Sequence, residues 1–162
     1  MTLSVEELCE YLRYDPETGT LWWIKRAGRS GPNIPGSKAH AKHSLGYICV
    51  RIKGHSYLAH RVAWALHYKT WPNSFVDHIN GNRSDNRICN LRLADKGQNN
   101  ANSRSRRLSL PKGVSRSGNR FYGQITFKGK RHYLGLFRTP EEAHNAYQEA
   151  AKRFHGEYAR FQ

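Results

Sequence analysis

Residues 76–100 read VDHINGNRSDNRICNLRLADKGQNN and gather side-chain amides, carboxylates and guanidinium groups around an adjacent acid and imidazole, Asp77 and His78. The apolar residues predict a short strand over residues 76–79, then a polar turn and a second short element. A helix from about 94 to 103 is expected to follow. An Asn-rich turn braced by its own side chains is the alternative interpretation.

This collection of groups suits the hydrolysis of a phosphodiester. Such a reaction needs a divalent metal at the phosphate, a base that activates water, and cations that hold the backbone. Asp77 is the only carboxylate between Thr18 and Ser84, and hard cations such as Mg²⁺ bind carboxylate and amide oxygens. Adjacent residues of a flat strand face opposite sides, so Asp77 and His78 share one site only if the strand departs from regular geometry.

The charge of the chain indicates a nucleic-acid partner. Its 162 residues include 27 Lys and Arg against 12 Asp and Glu, a formal net charge of +15. Residues 18–76 and 96–140 contain no acid, and such long basic stretches repel themselves unless a polyanion lies against them. We therefore expect double-stranded DNA as the partner, with a merely basic protein as the alternative. A membrane surface is not indicated, because no basic amphipathic helix is evident.

Composition favours a protein that works inside a cell. No apolar run approaches the roughly 20 residues of a membrane span. The start, MTLSVEELCEYLR, lacks the basic and then apolar pattern of a signal peptide, so we expect a cytoplasmic protein of the host cell. Cys9, Cys49 and Cys89 form no C-x-x-C pair, which argues against a disulfide framework or a zinc knuckle.

The first part of the chain mixes helical and strand patterns. Ser4 and Glu7 have the spacing of a capping box at the start of a short helix. Residues 26–44, rich in Gly, Pro, Ser and His, are expected to form a loop or arm. A hairpin turning at Lys53 then leads into a helix near His60, whose expected role is packing or contact with a phosphate.

The last part of the chain has a different pattern. Alternation over residues 120–128 predicts strands of a small three-stranded antiparallel sheet, and Thr139, Pro140 and Glu142 mark the start of a helix packed across it. The fold class is therefore expected to be α+β. The predicted organisation is a domain over residues 1–103, a basic linker over 104–111 and a second domain over 112–162.

The segments DHINGNRSDNRICNLR and QNNAN resemble the HNH nucleases, specifically the phage- and intron-associated homing endonucleases. The resemblance implies a ββα-metal fold, in which a β-hairpin and a helix surround one metal ion. In that family a metal-binding Asp precedes the general-base His, which matches Asp77 and His78. The Asn that braces the hairpin matches Asn90, and the last metal ligand, on the helix, falls at Asn99.

The same resemblance implies a metal and a mode of cutting. Many relatives have His at the position of Asn99, whereas a nicking subgroup has Asn, and an Asp with an amide oxygen suits Mg²⁺ or Mn²⁺ better than Zn²⁺. His78 would take a proton from the attacking water. One active site per chain favours a monomer that nicks, and two cuts made in sequence or by a dimer stay open. The side chains expected on flanking phosphates are Arg83, Arg87 and Arg92.

Residues 112–161 resemble the plant ethylene-response (APETALA/ERF-type) DNA-binding domain through KGV, YLGLFRTPEEAHNAY and HGEYA. That family lays its three-stranded sheet in the major groove and supports it with the helix behind. Phe121 stands where the family often has Trp. A solvated sheet face is the alternative. The side chains implied as DNA contacts are Arg116, Arg120, Gln124, Lys128, Arg131 and Tyr133.

The combined expectation is a site-specific DNA endonuclease of the homing type, an HNH hydrolase with a His base and one divalent metal. The chief alternative is a non-catalytic, sequence-specific DNA-binding regulator that keeps the hairpin as a scaffold. A third interpretation is an RNA-binding protein, which would prefer single-stranded RNA through stacked aromatic residues such as Tyr122 and Tyr133.

Overall fold

The computed structural model describes residues 2–27, 33–102 and 109–161. They divide into two compact units, Met1–Leu93 and Ala94–Gln162. The helices of the described residues are α1 Val5–Tyr11, α2 Ala59–Tyr68, α3 Lys96–Ala101 and α4 Pro140–His155. The strands are β1 Leu12–Asp15, β2 Thr20–Trp23, β3 Ala41–Lys42, β4 Ile48–Ile52, β5 His55–Leu58, β6 Phe75–His78, β7 Leu91–Ala94, β8 Val114–Ser117, β9 Arg120–Phe127 and β10 Lys130–Phe137.

The core of the first unit is formed where α1 and α2 meet the strands β1, β2 and β4. The predicted capping box at α1 is confirmed, since Ser4 Oγ accepts from the backbone N–H of Glu7 at 3.1 Å and the Glu7 carboxylate accepts from that of Ser4 at 3.0 Å. The predicted turn at Lys53 is also confirmed, because β4 and β5 pair on either side of it. Leu8, Ile52 and Val62 are fully buried in this core.

The segment predicted as an arm contains regular structure. β3 pairs antiparallel with β4, and Lys38 forms a bridge with Trp22 of β2. The backbone N–H of Ala39 donates to the carbonyl of Leu21 at 2.8 Å, and Ala39 is buried. A two-residue strand has no readable alternation, so its pairing depends on neighbours distant in sequence. Residues 28–32 of this segment lie outside the described residues.

The stretch that opened the sequence analysis folds as two strands followed by a helix. β6 and β7 pair in a two-stranded sheet, with a short 3₁₀ helix over Ile88–Asn90 between them, and α3 comes next along the chain. Arg61 of α2 anchors the approach to β6 by donating to the carbonyls of Ser74 and Pro72 at 2.9 and 3.0 Å. The order of elements along the chain is therefore the one expected from a ββα motif.

The second unit contains the predicted sheet and helix. β8, β9 and β10 form an antiparallel sheet with β9 in the centre, and Ile125 of β9 packs against Tyr147, Ala150 and Ala151 of α4. The predicted capping box at Thr139 is confirmed, and α4 ends at Gly156 as expected. The α+β class is thus observed in both units.

The first helix of the second unit is α3, which begins at its N-cap Asp95. The side chain of Lys112 donates to the carbonyl of Ala101 at the other end of α3. The expected domain boundary after residue 103 falls where residues 103–108 lie outside the described residues, and it stays a prediction. No helix in the described part of the chain is long and apolar enough to cross a bilayer.

Candidate functional site

His78 ends β6 as a buried side chain, only 4% exposed. Its Nε2 lies 3.0 Å from Oδ1 of Asn86, which is itself 2% exposed. An amide oxygen only accepts, so in this hydrogen bond Nε2 carries the proton and Nδ1 carries the lone pair of the ring. The structure therefore holds His78 in one tautomer and one orientation.

The N-terminal hairpin holds Asn86 in place. The Tyr14 hydroxyl donates to the carbonyl of Asn86 at 2.7 Å, and the backbone N–H of Ile88 donates to the carbonyl of Pro16 at 3.1 Å. Gly19 has φ +70°, and a Cβ there would lie 2.4 Å from the backbone nitrogen of Arg87. Glycine is thus required where the turn between β1 and β2 approaches the loop that holds His78.

Two further rings surround His78. The ring of His60, at the start of α2, lies edge-to-face with that of His78 at 4.9 Å between centroids, and the Tyr47 ring lies 5.3 Å from His60 and 6.1 Å from His78. Nδ1 of His60 is buried without a hydrogen-bond partner among the described residues. An orphaned buried polar group of this kind destabilises a fold by about 1–3 kcal/mol.

Burial controls the ionisation of both imidazoles. Desolvation lowers the pKa of His78, against an opposing effect of its hydrogen bond to Asn86. Desolvation, with the nearby His78, lowers the pKa of His60 to about 3. Both rings are therefore neutral near neutral pH, which is the state that a general base needs before it accepts a proton.

Asp77 faces a different neighbour from His78. Its Oδ2 accepts from Nε and from a terminal nitrogen of Arg92 on β7, each at 3.1 Å, and both side chains are buried at 8% and 11% exposed. His78, the last residue of β6, contacts Asn86, Tyr47 and His60 instead. Arg92 was predicted to hold a phosphate, whereas here its guanidinium group is bound to the predicted metal ligand.

Asn90 braces the loop between β6 and β7. Its Oδ1 accepts from the backbone N–H of Asn80 at 3.0 Å, and its Nδ2 donates to the carbonyl of Asp85 at 2.8 Å. These are side-chain to backbone hydrogen bonds of the kind that the resemblance implied for this residue. Asp85 adds an ion pair with Arg87, and the hydrogen bonds from Arg87 and Asn80 to its carboxylate lower the pKa of Asp85 to about 2.

We expect Asn90→Ala to destabilise the protein by about 2 kcal/mol, because it removes a buried side chain whose hydrogen bonds satisfy two partly buried backbone groups. Urea unfolding followed by circular dichroism would measure the change. Asn82→Ala is the matched control, since Asn82 is exposed and its side chain accepts only from Ser84 among the described residues. Equal unfolding midpoints for wild type and Asn90→Ala would contradict the bracing role.

Arg83 and Arg87 are exposed residues on the loop between β6 and β7. The guanidinium group of Arg83 lies over the Tyr47 ring at 4.9 Å and donates to the carbonyl of Leu45 at 2.8 Å. Arg87 is paired with Asp85 at 2.7 Å, with nearly half of its side chain exposed. Both cations are therefore within reach of a polyanion, although each already has a partner in the protein.

The predicted metal ligands are an acid and an amide. Asp77 lies in the first unit, and Asn99 lies on α3 in the second, where it is half-buried. The described residues contain no group of three or more His, Cys, Asp or Glu side chains that could hold a metal ion. A set of one carboxylate and one amide oxygen fits Mg²⁺ or Mn²⁺, because such ions keep several waters, and it does not fit Zn²⁺.

The exposed face of the C-terminal sheet carries most of the predicted DNA contacts. Arg120, Gln124 and Tyr122 alternate on β9 with the buried Ile125, and Tyr133, 64% exposed, pairs with Gln124 across the strands. Arg131 pairs with Thr126 on the same face. This surface combines guanidinium, amide and aromatic side chains, the groups that contact bases and phosphates.

Two predicted DNA contacts lie elsewhere. Arg116 pairs with Phe121, so it projects from the opposite face of the sheet, and its Nε donates to the carbonyl of Gly118 at 3.0 Å. Lys128 occupies the turn between β9 and β10 with φ 48°. Counting alternate residues along β9 cannot locate either residue. Arg116 belongs to β8, whose pairing with β9 decides the face it projects from, and Lys128 lies in the turn, where the alternation of the strand has ended.

Sequence reasoning did not select Asn86 or Tyr47, and it did not connect His60 with His78. The three residues lie 8, 31 and 18 positions from His78, each on a different element or loop (86 − 78, 78 − 47, 78 − 60). The sequence signal that could have pointed to His60 was a polar histidine among the apolar positions of α2. That signal is weak, since histidines often pack in cores.

Comparison with known proteins finds a nuclease family that matches the segment containing His78. Residues 57–101 match the family of HNH endonucleases, a range that includes His60, Asp77, His78, Asn90 and Asn99. The chain is 35% identical over 86 residues to a protein of Acanthamoeba polyphaga mimivirus named as an uncharacterised HNH endonuclease. That alignment covers 52% of this chain and 45% of the relative, so the chain spans less than half of the relative's length.

No solved structure matches the chain significantly. The family match stops at residue 101, so the resemblance of residues 112–161 to an APETALA/ERF-type domain remains a prediction. The buried His78, with its oriented imidazole, lies within the matched range. Residues 57–101 of this protein are therefore similar in sequence to the HNH endonuclease domain.

Proposed function

We propose that the protein is a site-specific DNA endonuclease of the homing type, with a ββα-metal nuclease site and a C-terminal sheet that reads DNA. The observation that carries this proposal is the buried, singly oriented His78 inside a segment that matches HNH endonucleases. The net charge of +15 supports a polyanionic substrate. The assignment of domains to residues 1–103 and 112–162 belongs to the same proposal.

In the proposed reaction His78 is the general base. Nδ1 takes a proton from the water that attacks phosphorus, while the hydrogen bond from Nε2 to Asn86 keeps the ring in place and stabilises the imidazolium that forms. Asn90 keeps the loop that carries Asn86 in shape. A divalent ion held by Asp77 and Asn99 would supply positive charge at the leaving 3′ oxygen.

The DNA would be held at two places. Arg83 and Arg87 lie on the loop next to His78 and suit the phosphates that flank the scissile bond. The exposed face of the C-terminal sheet, with Arg120, Gln124 and Arg131, suits base edges in the major groove. A tethered reader raises the effective concentration of the nuclease at its site, which compensates for a weak catalytic module.

The test is incubation of the purified full chain with supercoiled plasmid that carries candidate target DNA. Mg²⁺ or Mn²⁺ is expected to convert the plasmid to open circle, and EDTA is expected to prevent this. Linear product would indicate two cuts, made in sequence or by a dimer. Plasmid that stays supercoiled with every target from an unbiased selection for binding would contradict the nuclease assignment.

One observation favours a second candidate, a non-catalytic DNA-binding regulator. The carboxylate predicted to hold the metal is bound by the guanidinium group of Arg92 at 3.1 Å. In a regulator this ion pair would be a permanent part of the scaffold. The regulator binds the selected target with the same affinity in Mg²⁺ and EDTA and leaves it intact, whereas the nuclease cuts it.

Arg120→Ala is expected to weaken binding to the selected duplex by about tenfold, because Arg is the side chain that most often contacts guanine. Fluorescence anisotropy over a series of salt concentrations would measure the affinity and its salt dependence. Arg116→Ala, on the opposite face of the sheet, is the matched control. If the two substitutions weaken binding equally, the exposed face is not the reading surface.

A further inference from the structure

The turn between β3 and β4, residues 43–47, presents an exposed leucine beside the candidate site. Leu45 is 60% exposed, the highest value among the large apolar side chains described in the first unit. Arg83 connects this turn to the site, since it donates to the carbonyl of Leu45 at 2.8 Å and lies over the Tyr47 ring at 4.9 Å. The Tyr47 ring in turn lies 6.1 Å from that of His78. The turn that carries Leu45 is thus adjacent to the proposed general base.

The backbone of the 43–47 turn is fixed by hydrogen bonds. The N–H of Leu45 donates to Nδ1 of His43 at 3.2 Å. The N–H of His43 donates to the carbonyl of Tyr47 at 2.8 Å, and that of Gly46 donates to the carbonyl of His43 at 2.9 Å. A single exposed leucine is common on protein surfaces and means nothing alone. This one differs because the turn is held in one shape while its apolar side chain stays in water.

The surroundings of the turn are basic. Lys42 precedes it as an exposed residue of β3, and the exposed Arg83 lies against it. Residues 18–76 contain no acid. An apolar tip between cations suits duplex DNA, which offers stacked bases between rows of phosphates.

Two other occupants of the turn fit less well. A second copy of this chain would carry the same net charge of +15 and would be repelled. An anionic bilayer also combines negative charge with an apolar interior. The match of residues 57–101 to HNH endonucleases favours DNA over a bilayer, because Arg83 and His78 both lie in that range.

We propose that Leu45 is an apolar wedge that enters a base step of duplex DNA next to the scissile phosphate, an inference that rests on the proposed nuclease function. Lys42 and Arg83 contact the phosphates on either side of that step. A leucine inserted between base pairs unstacks them and bends the duplex. The bend brings the scissile phosphate toward His78, so Leu45 acts on the rate of cleavage.

The wedge also contributes to the choice of target. Pyrimidine–purine steps such as TA and CA unstack most easily, so inserting Leu45 costs least energy there. Leu45 therefore selects a flexible step without reading the edges of its bases. This kind of selection complements the base contacts proposed for the C-terminal sheet.

The experiment uses the full chain and the duplex recovered by unbiased selection, with 2-aminopurine replacing one adenine at a time. Fluorescence of 2-aminopurine rises when the base is unstacked, and it is read in EDTA so that the duplex stays intact. With wild type we expect a rise of at least about threefold at one step. Leu45→Ala is expected to lose this rise and to cut at least about tenfold more slowly in Mg²⁺ under single-turnover conditions.

Two further variants separate the wedge from charge. Leu45→Met keeps an apolar side chain and is expected to keep the fluorescence rise. Leu45→Lys adds a cation but no wedge, so it is expected to bind the duplex at least as tightly as wild type and to give no rise. Ile24→Ala is the matched control, because Ile24 is 50% exposed and its N–H donates to the carbonyl of Tyr11 in α1. It is expected to behave as wild type.

The outcomes distinguish the wedge from the proposed nuclease function. Protein that unstacks one step but never cuts removes the nuclease function and leaves the wedge in place. Cleavage by wild type with no fluorescence rise at any step overturns the wedge alone, as does a rise that persists in Leu45→Ala or Leu45→Lys. Wild type that binds no duplex overturns both.

The other occupants have their own readouts. Light scattering would detect a dimer, and sedimentation with phosphatidylserine vesicles would detect binding to a bilayer. If Leu45→Ala abolishes either of these while the 2-aminopurine signal is unchanged, the turn belongs to that partner and the wedge is overturned. If Leu45→Ala does not fold, the contrast between Leu45→Met and Leu45→Lys decides, and equal fluorescence from the two overturns the wedge.

Discussion

His78→Ala is expected to lower the single-turnover cleavage rate by about 10²- to 10⁴-fold, the range that a general base contributes. The reason is local, since the substitution removes the imidazole that Asn86 orients and with it the proposed base. DNA affinity is expected to stay within a few fold, because the proposed phosphate and base contacts lie on other side chains. Quenched-flow cleavage of the selected duplex and anisotropy titration would give the two quantities.

The control for this prediction is His55→Ala, which removes an exposed imidazole from β5 of the same unit. It is expected to cut at the wild-type rate. Cleavage by His78→Ala at a comparable rate would show that the base is another group. A parallel loss of DNA affinity would instead assign His78 to binding.

Asp77→Asn is expected to reduce both cleavage and stability. Loss of the carboxylate removes the proposed hold on the divalent ion, which supplies several kcal/mol of transition-state stabilisation, so the cleavage rate should fall by about 10²-fold or more. It also leaves Arg92, at 11% exposed, without its charged partner. Removing one member of a buried ion pair destabilises a protein by about 3–5 kcal/mol. Metal-dependent cleavage and urea unfolding would measure the two effects separately.

The double variant Asp77→Asn with Arg92→Met separates these effects. Replacing the second charge by an apolar side chain of similar length should restore most of the stability and none of the cleavage. Glu10→Gln is the control for a pair of another kind, because the Glu10–Lys25 pair is exposed and should matter little to stability or cutting. A stable double variant that still cuts in Mg²⁺ would remove Asp77 from the metal site.

Arg92 also links the two candidate functions. If the protein is a nuclease, Asp77 would hold the divalent ion at the expense of part of its ion pair with Arg92. If the protein is a regulator, the ion pair stays intact on DNA. The unfolding midpoint of the wild type with and without Mg²⁺ reports this exchange, since a bound ion raises the midpoint and an excluded ion does not.

Local signals accounted for much of the fold. The capping boxes at Ser4 and Thr139 and the turn at Lys53 depend on residues within a few positions of one another, and all three are observed. The strand β3 was not predicted, because its two residues have no pattern of their own and form a strand only by pairing with β4. Hydrogen bonds to a distant strand leave no periodic trace in sequence.

The candidate site also has one part that local sequence identifies and another part that only the tertiary structure brings together. Asp77, His78 and Asn90 could be selected from one continuous stretch, since a motif with fixed spacing is a local property. The surroundings of His78 could not be identified in this way, because Asn86, the hairpin that approaches at Gly19 and His60 of α2 come from other parts of the chain. These contacts depend on how the chain is folded back upon itself.

The C-terminal sheet shows the limit of counting alternate residues. Strict alternation from Tyr133 would direct Gly135 and Phe137 toward the exposed face. A bulge between Tyr133 and Gly135 adds one residue, so Phe137 pairs with Phe121 on the helix side and Leu136 pairs with Tyr122. Gly135 permits the bulge with φ 127°, a conformation that other residues rarely adopt.

The amino-acid sequence by itself determined the basic charge, the capped helices, the alternation of β9 and the Asp-His-Asn motif of the matched segment, because each is a property of composition or of neighbours along the chain. Only the tertiary structure decided that Asp77 meets Arg92, that His78 contacts Asn86 and His60, and which face of the sheet bears Arg120 and Arg116. Those outcomes require burial and strand register, which arise when distant segments exclude water from one another and satisfy one another's hydrogen bonds.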